Sequence, residues 1–119
     1  MPDVYDLFKR GTALLEAGDF NSATVPLSKA AELEPEKTSI REALGRAYFR
    51  SSQFEEARVE FEAVVERAPT NDYALFCLGR SLMELGRHGE ARKPLILAAT
   101  MRPERRDYRI YRDRARAAA

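Results

Sequence analysis

Cysteine, histidine, long apolar runs and a net charge are all scarce here, and each scarcity excludes something. Cys77 is the only cysteine. No disulfide can close within the chain, which fits a reducing compartment and leaves the fold to packing alone. His88 is the only histidine, and a lone imidazole gives neither a metal site nor a general base much to build on. His88 is therefore assigned to packing or surface, and Cys77 to a buried, inert thiol. No stretch approaches the roughly 18 apolar residues of a membrane span, so no membrane partner is expected. Met1-Pro2-Asp3 does not begin a basic region followed by an apolar run, so no signal peptide is expected and the location expected is cytoplasmic. No glycine-rich phosphate loop and no nucleophile–base pairing is visible. The expectation is a protein without enzymatic activity, cofactor or metal.

Charge of one sign is lacking as well. Twenty Lys and Arg against 19 Asp and Glu leave +1. Nucleic-acid binding usually needs a clear basic excess, so nucleic acid is not the expected partner. The balance is uneven along the chain: residues 1–37 carry −3, 38–71 carry −1, 72–105 carry +2 and 106–119 carry +3. One end is acidic and the other basic.

What is present is a period. Gly11, Gly45 and Gly79 lie 34 residues apart, and Ala23, Ala57, Ala91 and Pro35, Pro69, Pro103 repeat with the same step. A unit of this size cannot bury its own apolar face, so copies must stack. Each unit reads as helix, turn, helix, turn. Leu75, Leu78, Gly79 and Leu82 form one stripe of a 3.6-residue helix. Glycine inside a helix costs about 1 kcal/mol relative to alanine, and its return in every unit implies a neighbouring helix too close for a side chain. Gly18-Asp19 and Gly86-Arg87 mark turns, with Ser51-Ser52 as a weaker signal between them. Second helices are expected over 20–33, 54–67 and 88–101, each stopped by its proline. Pro26 and Pro94 fall inside them, where local kinks are expected. Glu55, Glu56, Glu60, Glu62 and Glu66 suggest a solvated outer face.

The order Leu78-Gly79, Leu82, Ala91, Leu95, Ala98, Pro103 resembles a tetratricopeptide repeat. The resemblance covers about residues 4–105. It implies an all-α, right-handed solenoid of three helix-turn-helix repeats, about 4–37, 38–71 and 72–105. A seventh, capping helix over 106–119 completes one domain spanning 1–119. Departures from the signature are Leu7, Arg41 and Leu75 at the tryptophan position, Arg10 for a leucine, and His88 for an aromatic. The stem of Arg41 is expected to pack while its head reaches solvent.

A second stripe on the first helices lies roughly 130° around from the core stripe. It carries Tyr5, Phe8, Thr12 and Leu15, then Ser39, Glu42, Arg46 and Phe49, then Tyr73, Phe76, Arg80 and Met83. In the tetratricopeptide family such positions face the concave groove. The resemblance thus implies aromatic walls with guanidiniums of Arg46 and Arg80 among them, Arg50 near the rim and Arg114 from the last helix. The alternative is that Phe8, Leu15, Phe49, Phe76 and Met83 simply pack between first helices. Aromatics supply contact area and arginine grips carboxylates, so the expected partner is a protein or peptide segment with apolar and acidic residues. Related cochaperones hold the C-terminal carboxylate of heat-shock chaperones with Lys, Asn, Asn, Lys and Arg. Those positions hold Phe8, Thr12, Ala43, Tyr73 and Cys77 here, so no clamp of that kind is expected. The competing reading is a self-assembling scaffold joined through its acidic and basic ends, which leaves a homo-oligomer open.

Overall fold

The structure is a computed structural model that describes residues 3–118; Met1, Pro2 and Ala119 of the expected domain lie outside the described residues. Seven helices follow in order: α1 (Val4–Glu16), α2 (Phe20–Leu33), α3 (Thr38–Arg50), α4 (Phe54–Arg67), α5 (Asp72–Glu84), α6 (His88–Met101) and α7 (Arg106–Ala117). Among the described residues there is no strand. The chain is an all-α helical-repeat solenoid.

The helix ends follow from local chemistry. Asp3 and Asn71 cap α1 and α5, their side chains accepting from the amides of Asp6 and Ala74 at 2.8 and 3.0 Å. Each first helix closes in a left-handed residue, Gly18 (φ 80°), Ser52 (φ 62°) or Gly86 (φ 75°). The next amide then reaches back, with Asp19 donating to Leu14 O, Gln53 to Tyr48 O and Arg87 to Leu82 O, the hydrogen bond of a Schellman turn. The second helices stop two residues before Pro35, Pro69 and Pro103, since proline pushes its predecessor into extended backbone. Pro26 and Pro94, where kinks were expected, are buried in helices that continue unbroken past them.

At the three repeated glycines the neighbouring helix does come too close for a side chain. A Cβ on Gly45 would lie 2.9 Å from Phe61 Cζ, and one on Gly11 or Gly79 closer still to Cγ of Leu27 or Leu95. Leu27, Phe61 and Leu95 are fully buried, so the second helix of each unit presses its largest core residue onto the glycine of the first. Sequential helices pack pairwise along the chain, and α1 also meets α3 while α5 meets α7. First helices therefore form the inner layer and second helices the outer one.

Two sequence expectations need correction. The head of Arg41 is not free in solvent: with the side chain 22% exposed, it donates to Pro35 O and pairs with Glu60 at 2.9 Å. Glu60 is accordingly no part of a solvated face. Its side chain is 13% exposed, and burial raises its carboxyl above the usual value against the opposing pull of Arg41. The equivalent positions in the other units hold Leu7 with Pro26 and Leu75 with Pro94, all buried, so one ion pair occupies the register that apolar residues fill elsewhere.

Candidate functional site

The turn after α1 brings Leu15, Glu16, Gly18 and Phe20 opposite α3 and α5. Between them lies a cavity of about 370 Å³, also lined by Arg46, Phe49, Arg50, Phe61, Tyr73, Cys77 and Arg80. Five residues expected in the groove, Arg46, Phe49, Arg50, Tyr73 and Arg80, thus meet in one place. Arg46 and Arg80 share one register position on successive first helices, and Arg114 follows in α7.

Aromatic rings hold the guanidiniums. Arg50 lies 4.4 Å over the Phe20 ring. Arg80 sits between Phe49 and Tyr111, at 4.8 and 4.7 Å, with Phe76 at 5.7 Å. Arg114 lies 4.9 Å from the Tyr111 ring. A ring face attracts a cation but offers no lone pair, and the buried Nε of Arg80 has no hydrogen-bond partner. None of Arg46, Arg50 and Arg80 has an ion-pair partner among the described residues. Burial pushes the Tyr73 hydroxyl and the Cys77 thiol up to about 12, so both line the cavity as neutral groups. Such a thiol is a poor nucleophile near neutral pH.

Other expected groove residues lie elsewhere. Tyr5 is 64% exposed and borders, with Phe8, a separate depression near Ile40 and Lys37. Thr12 turns its hydroxyl back to Phe8 O at 3.0 Å. Glu42 accepts from Asn71 Nδ2 at 3.2 Å. Met83 is half-buried, its sulfur 3.2 Å from His88 Nδ1. Phe76 is not an open wall of the groove: it is 5% exposed and stacks on Tyr108 and Tyr111, with centroids 4.5 and 5.5 Å away. It packs beneath α7, as the packing alternative had it. Tyr73, which lines the cavity, is half-buried beside Cys77.

Sequence reasoning missed Phe20 and Tyr111. Phe20 reads as second-helix core, yet it opens α2 at the rim under Arg50. Tyr111 stands 34 residues after Cys77, a register signal that was available.

None of the described helices is long and apolar enough to cross a membrane. Among curated proteins none matches the chain. Among solved structures, MamA from MSR-1 is 24% identical with a TM-score of 0.88, over 96% of this chain and 66% of that one. MamA from AMB-1 is 25% identical with a TM-score of 0.86, over 95% and 62%. The chain thus spans about two thirds of the MamA structures or slightly less. The first TPR of Spaghetti (RPAP3), bound to the HSP90 peptide SRMEEVD, is 18% identical with a TM-score of 0.89, over 98% and 92%. The Arabidopsis OM64 TPR domain is 18% identical with a TM-score of 0.90, over 98% and 96%. The tetratricopeptide repeat family model matches residues 8–71 and again 42–107. With three stacked helix pairs in a common 34-residue register, the chain belongs to the tetratricopeptide repeat family.

Proposed function

We propose that this chain, a protein–protein interaction module by family, holds an acidic segment of a partner protein in its inner-layer groove, with no catalytic role. One contrast carries the reading. Arg41, Arg58, Arg87, Arg102, Arg105 and Arg112 each lie against a carboxylate; among the arginines without one, Arg46, Arg50 and Arg80 are those that share a cavity. Unfilled donors beside aromatic walls suit a segment offering carboxylates and apolar anchors. The RPAP3 domain is bound to an acidic peptide. Here the five positions that would clamp a terminal carboxylate hold Phe8, Thr12, Ala43, Tyr73 and Cys77, so the arginines would meet the acidic groups instead.

Affinity capture from the native lysate tests this with Arg46→Glu, an exposed substitution, against Lys93→Glu as a control of equal charge change. A partner recovered with wild type and Lys93→Glu, and reduced at least tenfold with Arg46→Glu at unchanged helicity, is the expected result. Equal recovery with all three would remove the groove from the account. Recovery of the chain alone, dissociating in high salt and on Arg109→Glu/Arg112→Glu, would favour end-to-end self-assembly.

A further inference from the structure

The cavity carries more positive charge than one carboxylate can answer. Three guanidiniums line it against the single carboxylate of Glu16, a surplus of two. Glu42, on the same inner stripe, is turned to Asn71. The guanidiniums come from two helices: Arg46 and Arg50 one turn apart on α3, and Arg80 on α5. Phe20, Phe49 and Tyr111 hold two of them by their faces, and Arg80 keeps a buried Nε–H unfilled.

Resting on the groove reading above, we infer that this cavity is a subsite for a phosphorylated side chain of the partner protein. Two neighbouring carboxylates match the charge less well. Successive side chains of an extended segment point to opposite faces, so only one would enter. A phosphomonoester concentrates about −1.5 to −2 in one group with three acceptor oxygens, and arginine forks suit those oxygens better than point charges do. A volume of about 370 Å³ walled by Phe20, Phe49 and Tyr73 also leaves room for an apolar stem or ring behind the phosphate.

The test is a titration of the protein with phenyl phosphate, inorganic phosphate and benzoate at pH 7.5, following the arginine Nε–Hε signals by NMR. The expected result is that phenyl phosphate moves the Arg80 signal and binds at least tenfold more tightly than benzoate. Arg80→Gln and Arg50→Gln should each weaken it at least tenfold and Lys93→Gln should leave it unchanged. Binding should also weaken below the second phosphate pKa of about 6. Benzoate binding as tightly as phenyl phosphate, or no response of the Arg80 signal to either, overturns the subsite. Phosphatase treatment of the lysate separates the two readings. A partner still captured undiminished after treatment, yet lost with Arg46→Glu, leaves the groove standing and the phosphate subsite refuted.

Discussion

At Gly11, Gly45 and Gly79 the absent side chain is what lets the helices close. Alanine would gain about 1 kcal/mol of helix propensity but must fit against the facing residue. At Gly11 and Gly79 the new methyl meets Cγ of Leu27 or Leu95, which cannot move without shifting the side chain. At Gly45 it meets the far end of the Phe61 ring at 2.9 Å. Gly79→Ala should therefore lower stability by about 1–3 kcal/mol, the usual cost of overpacking, and Gly45→Ala by less. Urea denaturation of both variants checks the order, and equal or greater loss at Gly45 would contradict it. Glu60 gives a second residue-scale prediction. A carboxyl whose folded pKa is raised contributes stability that is fully present below the ordinary value and lost as pH rises through the folded one. Glu55, Glu90, Asp107 and Asp113, lowered by hydrogen bonds from neighbouring arginines, act in the opposite direction and lose their contribution as pH falls. Relative to Glu60→Gln, wild type should thus be more stable at pH 4 than at pH 7; a difference of the other sign would show that the Arg41 pair dominates.

Among the elements, α7 differs in how little apolar surface it has. It buries only Tyr108 and Ala115 completely, so its attachment relies on specific contacts. The Tyr108 ring stacks on Phe76, and its hydroxyl donates to Asp72 at 2.8 Å. Arg92 of α6 donates to Ala115 O and Ala118 O at 3.1 and 2.7 Å, filling carbonyls that a helix end leaves open. Tyr108→Phe should cost about 0.5–1.5 kcal/mol through the lost hydrogen bond, and Tyr108→Ala about 3–5 kcal/mol through the emptied core site. Thermal and urea unfolding would read both; equal effects would mean that the ring contributes nothing beyond the hydroxyl.

For the whole molecule, the ends matter most. The structure is elongated, 49 × 24 × 22 Å, as a stack whose units meet mainly their neighbours. On α5, positions Leu75, Leu78, Gly79 and Leu82 receive the following second helix. The same register on α7 holds Arg109, Arg112, Asp113 and Arg116, so that face is charged where another helix would need apolar contact. At the opposite end, Asp6, Lys9 and Ala13 occupy the positions that Ile40, Ala43 and Ala47 bury in α3. Charged ends oppose apolar extension of the stack. Arg109→Leu/Arg112→Leu/Arg116→Leu should promote concentration-dependent association, visible by sedimentation velocity; a chain as monodisperse as wild type would argue that charge is not what limits stacking.

The repeat register, the span of every second helix, the close approach at the three glycines and the terminal capping helix were all legible in the sequence. Each depends on residues near in the chain or on a period that repeats. Side-chain pairing between helices was not legible. Arg41 reads as a departure until Glu60, 19 residues on, is seen to meet it. Phe76 reads as a groove residue because its stripe is right, yet α7 folds over it. Phe20 lines the cavity and Tyr111 backs Arg80 from α7 because the fold brings them beside arginines of other helices. The sequence by itself determined the helices and their order, because local periodicity and stop signals specify them. Only the tertiary structure decided which arginines find carboxylates and which share an unpaired cavity, because that depends on distances between side chains far apart in the chain.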